Sequence, residues 1–223
     1  MKHLQVHDNG SETSAAFRVV CAAARALAGD ERWCDMLAEN LYWASMEAFL
    51  QSSLLAAINR TDEGFIADRE RNVSPRLRPD LLVFPVRAHD AWWQLRERAQ
   101  EDTSLSDVLR LAVQMKVAWT RGNATGSATL PNKIAATRSD IALLHEVLPG
   151  KGAVAVLVSG FHPRGDGARE VEAALRALVA EVPATAESLV LPLLEDYRPA
   201  RWDKLLEPDR AAFSMLWLAR IQD

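Results

Sequence analysis

Three polar residues lie on segments that otherwise look like buried β-strands. Gln114 and Lys116 alternate in "LAVQMKVAW" and therefore share one face of a strand, opposite its fully apolar face. Asp80, in "RPDLLVF", shares a face with Leu82 and Phe84, so its side chain points at a covered side of the sheet. Burying an unpaired charge is costly, so each charged group needs a partner or a chemical role.

A fourth polar residue lies on a helical segment. Glu47 interrupts an apolar stripe with helical spacing, which consists of Trp43, Glu47, Leu50, Leu54 and Ile58. A metal ion and the Lys116 ammonium would both compensate a carboxylate in such surroundings. Glu39, four residues before Trp43, lies on the same stripe and is the alternative helix carboxylate. We prefer Glu47 because it precedes the longest unbroken apolar periodicity.

The remaining patterns predict the elements that would position these residues. Gly29 is expected to end an Ala-rich helix over 11–30, and residues 30–60 predict a long helix with a break near Asp35. Predicted strands follow at 64–73, 76–86, 111–119, 152–161 and 187–195, and predicted helices at 133–150, 165–183 and 208–221. The order of these elements predicts an α/β or α+β sandwich, and we prefer an α/β fold with a mixed central sheet flanked by helices.

These residues, in this order, resemble the PD-(D/E)XK nuclease superfamily in its QxK variant. The matching motifs are Pro79-Asp80 on one strand and Gln114-Met115-Lys116 on the next, with Glu47 on the preceding helix. The resemblance covers roughly residues 40–160 and implies a restriction-endonuclease-like αβββαβ core. It divides a single nuclease-like domain, 1–223, into an N-terminal helical addition (1–38), a core (39–195) and a C-terminal helix (196–223). A helix inserted at about 88–109 separates the two motif strands.

The resemblance also implies a chemistry and a role for each residue. A nuclease of this kind hydrolyses phosphodiester bonds with Mg²⁺ or Mn²⁺, which polarises the phosphoryl oxygen and prepares a water. Asp80 would be the main metal ligand, Gln114 and the Met115 carbonyl would be further ligands, and Glu47 would support the site. Lys116 would act on the nucleophile and on phosphate charge. Gln114 departs from the expected carboxylate, because an amide can bind Mg²⁺ but brings no charge.

Charge and partners follow partly from the residues and partly from the resemblance. A basic stretch without Asp or Glu runs from Lys116 to Arg138 and predicts phosphate contacts, together with the strand-flanking Arg78. The predicted nucleic-acid-binding residues are Arg78, Arg121, Lys133 and Arg138. The resemblance implies DNA as the partner, a role in bacterial defence or repair, and a homodimer or a subunit of a larger complex.

Composition sets the remaining expectations. The 223 residues are 49% hydrophobic with a net charge of −4, the balance of a soluble globular protein without global attraction to nucleic acid or membrane. Cys21 and Cys34 lack metal-ligand spacing and are expected to be reduced thiols of a cytoplasmic protein. The polar N-terminal segment predicts no signal peptide, and no stretch predicts a membrane span. The alternative to an active nuclease is a catalytically degenerate nuclease-fold protein that acts as a binding or structural subunit.

Overall fold

The computed structural model describes residues 9–43, 46–61, 63–69, 72–87, 105–120, 130–180, 185–204 and 206–221. Helices in the described residues are α1 (Asn9–Ala28), α2 (Glu31–Trp43), α3 (Met46–Ile58), the short α4 (Leu105–Val108), α5 (Leu130–Val147) and α6 (Gly167–Ala180), with a 3₁₀ turn at Ala200–Lys204. Strands are β1 (Phe65–Arg69), β2 (Leu81–Pro85), β3 (Leu111–Trp119), β4 (Gly152–Pro163), β5 (Thr185–Tyr197) and β6 (Arg210–Ile221).

The six strands form one mixed sheet in the order β1-β2-β3-β4-β6-β5. The pair β3–β4 is parallel and every other neighbouring pair is antiparallel. Parallel neighbours need a crossover connection, and α5 supplies it between β3 and β4. The stretch from α3 to β4 thus has three successively paired strands, then a helix, then a strand parallel to the third.

Helices cover both faces of the sheet. Side chains at alternate positions of the strands pack against α1, α2 and α3 on one face of the sheet, and the intervening side chains pack against α5 and α6 on the other. Both faces of β4 are buried almost throughout, which is why its sequence reads as a continuous apolar run and not as an alternation. The predicted α/β fold with a mixed sheet between helical layers is therefore confirmed.

The predicted C-terminal helix is wrong. Residues 210–221 form strand β6, which lies between β4 and β5 in the interior of the sheet. Both of its faces are buried, so its sequence lacks the two-residue alternation of a half-buried strand. A continuous apolar run of this length cannot be told from a buried helix by periodicity alone.

The predicted helix break near Asp35 is also misplaced. Asp35 lies inside α2, which ends at Trp43, and α3 begins at Met46. The start of α2 is fixed by Asp30, whose carboxylate accepts a hydrogen bond from the backbone N–H of Trp33 at 3.2 Å. Of the predicted inserted helix at 88–109, only Leu105–Val108 falls in described residues, where it is helical.

The free edge of β1 is covered by a side chain. Asn59 donates to the Ala67 carbonyl at 3.0 Å and accepts from the Ala67 N–H at 2.6 Å. This occupies edge groups that would otherwise be open to pairing with another strand. Among the helices in the described ranges, none is long and apolar enough to cross a membrane.

Candidate functional site

Asp80 lies immediately before β2, at the end of the β2–β3 pairing. The last pair in that register is Leu81 with Val113, so one further step places Asp80 opposite Gln114. Leu82, two residues after Asp80, belongs to the hydrophobic cluster under α5 and α6. Asp80, Gln114 and Lys116 therefore lie on that same face of the sheet. The structure thus brings the two predicted motifs together on neighbouring strands.

Two hydrogen bonds fix Asp80. The side-chain amide of Gln51, on α3, donates to the Asp80 carbonyl at 2.6 Å. The backbone N–H of Met115 donates to Oδ2 of the Asp80 carboxylate, also at 2.6 Å. Gln51 is only 5% exposed, so its amide is committed to this contact. Backbone and carboxylate of Asp80 are therefore held by different elements, α3 and β3.

Lys116 pairs with a residue that the sequence did not single out. Its Nζ lies 2.7 Å from Oδ2 of Asp140, on α5, and the two side chains are 17% and 28% exposed. The pair links the middle of β3 to the crossover helix above it. A partly buried ion pair is screened less than a surface pair, so its charges act strongly on nearby groups.

Burial and charge shift the pKa of Asp80 upward. Burial raises the pKa of its carboxyl to about 6, the Met115 N–H and Lys116 oppose the rise, and Glu47 and Asp140 add to it. Three carboxylates and one ammonium therefore influence one another here, a net charge of −2 when all four are ionised. A carboxyl shifted in this way by burial and specific neighbours is a typical candidate for a functional group.

Lys116 remains a cation in this setting. Burial acts to lower the pKa of its ammonium, but the Asp140 carboxylate, helped by Glu47 and Asp80, outweighs that effect and raises the pKa above its usual value. The same three carboxylates thus favour a positive charge at the centre of the site.

The Gln114 side chain is half-buried, while its backbone lies in the β3–β4 pairing opposite Val154. Gln114 lies one residue before Met115, whose N–H points to Asp80. A strand residue directs its N–H and its C=O to the same neighbouring strand, so the Met115 carbonyl is directed to that side as well. An amide oxygen, a backbone carbonyl and a carboxylate therefore belong to the same end of the β2–β3 pair.

The two alternatives for the helix carboxylate differ in their surroundings. Glu47 lies in the first turn of α3, one turn before Gln51, and its charge acts on both Asp80 and Lys116. Glu39, on α2, forms an ion pair with Arg201 at 2.7 Å. Of the two, the structure brings Glu47 to the site.

The predicted basic residues are spread over two elements. Arg78 is exposed in the segment that leads to Asp80, while Lys133 and Arg138 lie on α5, which also carries Asp140. Arg121 lies outside the described residues, as does most of the predicted inserted helix. These positions place charge next to the motif residues along the chain.

Gln51 and Asp140 are the residues that sequence reasoning missed. Gln51 follows Glu47 by one helical turn, the spacing that puts both on one helix face. Asp140 lies three residues after the buried Thr137 and four before Leu144, so it shares the buried stripe of α5. In both segments the signal is a polar residue on an apolar helix stripe, the same signal that points to Glu47.

The donor set tests whether a divalent cation fits. Within the described ranges, no group of three or more His, Cys, Asp or Glu side chains is close enough together to hold a metal ion. The available donors are instead one carboxylate, one amide and one backbone carbonyl, all oxygen ligands of the kind that Mg²⁺ prefers. The excess of negative charge around Asp80 also favours a cation, so the residues fit a weakly held Mg²⁺ or Mn²⁺.

Comparison with models of known protein families, with curated proteins and with solved structures finds no match for this chain.

Proposed function

We propose that the protein is a metal-dependent nuclease that hydrolyses phosphodiester bonds in DNA. The observation that carries this proposal is the meeting of Asp80 with Gln114 and Lys116 at one end of the β2–β3 pair. Glu47 adds a carboxylate close enough to raise the pKa of Asp80. Asp80 and Lys116, far apart in the chain, share one electrostatic environment, which separate structural roles do not require.

The topology supports the same proposal. Apart from the short α4 between β2 and β3, the run α3, β1, β2, β3, α5, β4 follows the element order expected of a restriction-endonuclease-like core. Its first three strands are neighbours in sequence order, and α5 crosses over to the parallel β4. A fold alone does not carry a function, so this observation adds to the site and cannot replace it.

Each residue of the site has a role in this chemistry. Asp80, with the Gln114 amide and the Met115 carbonyl, would hold Mg²⁺ or Mn²⁺, which when bound polarises the phosphoryl oxygen and activates a water. Lys116 presents a positive charge to the phosphate, where negative charge develops during hydrolysis. Glu47 supports the site from α3.

DNA binding would extend from this site along basic side chains. Lys133 and Arg138 on α5, and Arg78 before β2, are suited to phosphate contacts that position the backbone without reading the sequence. Because the whole chain has a net charge of −4, affinity would depend on such local contacts or on a second subunit. A homodimer or a larger complex accordingly belongs to the proposal.

One observation favours a second candidate, a nuclease-fold binding or structural subunit without activity. Gln114 contributes no charge, and the Lys116 ammonium is already paired with Asp140 at 2.7 Å. In that case the ion pair serves packing, and the metal ligands are too few for useful affinity.

Cleavage of supercoiled plasmid and of single-stranded DNA separates the two candidates. We expect nicking with Mg²⁺ or Mn²⁺ that EDTA stops. Asp80→Asn should lower the rate by about a thousandfold, since one carboxylate anchors the cation. Lys116→Met should lower the rate more than the metal affinity. Absence of nicking by the wild-type protein with both metals would favour the binding subunit, whereas an unimpaired Asp80→Asn variant would overturn the assignment of the site.

A further inference from the structure

The ion pair between Lys116 and Asp140 has a position that a packing contact alone does not explain. It lies on the face of β3 that carries Gln114, within the electrostatic reach of Asp80. The carboxylate comes from α5, an element outside the two strand motifs. Asp140 therefore approaches the proposed catalytic lysine from the opposite side to β2.

We infer that Asp140 is a positioning residue that holds the Lys116 ammonium in place, so that Lys116 presents a fixed positive charge to a bound phosphate. The inference rests on the proposed function, because it specifies how Lys116 takes part in that reaction. Asp140 itself need not touch DNA or metal.

The ion pair with Asp140 restrains the otherwise flexible side chain of Lys116. A lysine has a flexible four-carbon stem, and a free lysine samples many rotamers. With Nζ fixed 2.7 Å from Oδ2 of Asp140, and only 17% of its side chain exposed, Lys116 loses that freedom before substrate binds. A charge that is already in position needs no reorganisation during the reaction.

The charged groups around Lys116 are the second observation. The groups that face Lys116 are carboxylates from three elements: Asp140 on α5, Glu47 on α3 and Asp80 before β2. All three carboxylates attract the positive charge of Lys116, so the ammonium lies among groups of opposite charge. When the water oxygen bonds to phosphorus and the ester P–O bond breaks, the attacking water releases a proton to solvent and the leaving oxygen takes one up from solvent.

A titration of Lys116 tests the inference without any substrate. The chain has only five lysines, at positions 2, 116, 133, 151 and 204, so ¹³C-labelled lysine gives a simple spectrum that Lys116→Arg assigns. We expect the Lys116 ammonium to titrate at a lower pH in Asp140→Asn than in the wild-type protein, because the Asp140 carboxylate raises its pKa. Glu172→Gln, which removes an exposed ion-paired carboxylate on α6, is the matched control and should leave Lys116 unchanged. Equal titration of Lys116 in wild type and Asp140→Asn would overturn the inference.

Cleavage supplies the second measurement. Asp140→Asn should lower the Mn²⁺-dependent rate by about ten- to a hundredfold, a typical effect of misplacing a catalytic group, with little change in KM for DNA. Its rate should also fall at high pH, as Lys116 loses its proton, whereas the wild-type rate should not. Asp140→Glu keeps the charge and should recover part of the rate. An Asp140→Asn rate and pH profile equal to those of the wild type would contradict the inference.

A double variant covers the case in which Asp140→Asn folds poorly because Lys116 is left unpaired. If Asp140 acts only through Lys116, Lys116→Gln combined with Asp140→Asn should cleave at the rate of Lys116→Gln alone. Multiplying losses would show an independent role for Asp140 and overturn the inference. Absence of cleavage by the wild-type protein overturns the proposed function instead, and the lysine titration then decides separately whether Asp140 controls Lys116.

Discussion

Two groups of polar side chains, one around Lys116 and one around Thr120, differ in how their polar atoms are partnered. Around Lys116, three carboxylates share one ammonium, and burial, with Glu47 and Asp140 adding to it, raises the pKa of Asp80. Near the end of β3, Thr120 hydrogen-bonds both Nε2 of His162 and the carbonyl of Ser159. Burial lowers the pKa of His162, with Arg210 acting in the same direction and Glu170 against it, so the ring is neutral at physiological pH.

The difference separates a structural polar group from a functional one. Thr120 and His162 satisfy each other without net charge, which is the usual condition of polar groups in a protein interior. The group around Asp80 carries unbalanced charge that the fold maintains at a cost, and such imbalance is typical of sites that await a ligand. Serine and histidine residues suggest catalysis when only the sequence is considered, but here Ser159 and His162 belong to the structural group.

The largest expected effect tests the structural group. In Gly160→Ala, the new Cβ would overlap Oγ1 of Thr120 and lie 2.6 Å from Nε2 of His162. Because both atoms are held by hydrogen bonds, we expect a loss of about 3 kcal/mol in unfolding free energy, measured by urea denaturation. Gly29→Ala is the control, since its Cβ would meet only carbonyl oxygens at 3.6 Å or more. A loss below about 1 kcal/mol would mean that Thr120 and His162 are loosely held.

A smaller effect is expected from restoring charge in the other group. Gln114→Glu places a second carboxylate opposite Asp80, so Mn²⁺ affinity, measured by calorimetry, should rise about tenfold, because affinity for hard cations follows ligand charge. The metal-free variant should be less stable than the wild type, because the added charge repels Asp80. Asn72→Asp adds the same charge at an exposed position and should change the affinity little. Unchanged Mn²⁺ affinity in Gln114→Glu would remove Gln114 from the ligand set.

The sequence predicted the fold wherever a segment's pattern reflected its own surroundings. Gly29 marked the end of α1, and β1 to β5 were each found as separate strands. Strand β6 was missed because its burial comes from two helical layers and two neighbouring strands at once, which erases the alternation that identifies a strand. Its misassignment as a helix is thus a consequence of its interior position.

For the site, the sequence revealed residues on adjacent motif strands but not their supports. Alternation within β3 was enough to group Gln114 with Lys116. The contact of Lys116 with Asp140 depends on how α5 crosses the sheet, and that of Asp80 with Gln51 on how α3 packs below it. Such packing angles are set by the whole core. The spacing of polar residues along a helix could therefore have identified Gln51 and Asp140 as unusual, but it could not have predicted which residues they contact.

The smallest expected effect measures the cost of the unbalanced charge. The pKa of Asp80 rises from its usual 3.8 to about 6 on folding, so the folded chain binds this proton more tightly than the unfolded chain. The unfolding free energy should therefore fall as the pH rises from about 4 to about 6, and stay lower above that range. Asp80→Asn removes the titration and should be more stable than the wild type at pH 7.5 by about 1 kcal/mol, a value reduced for partial exposure.

That advantage of Asp80→Asn should shrink as the pH falls through 6 towards 4, since over this range the folded wild-type protein takes up the proton of Asp80 while the unfolded chain is still largely ionised. Urea unfolding in EDTA across this range measures it, with Asp209→Asn as a control for loss of one exposed carboxylate. Mg²⁺ should stabilise the wild-type protein but not Asp80→Asn, because only a ligand of the folded state raises its stability. A wild-type protein as stable as Asp80→Asn at pH 7.5 would show that Asp80 is as well satisfied as His162, and the distinction between the two groups would fail.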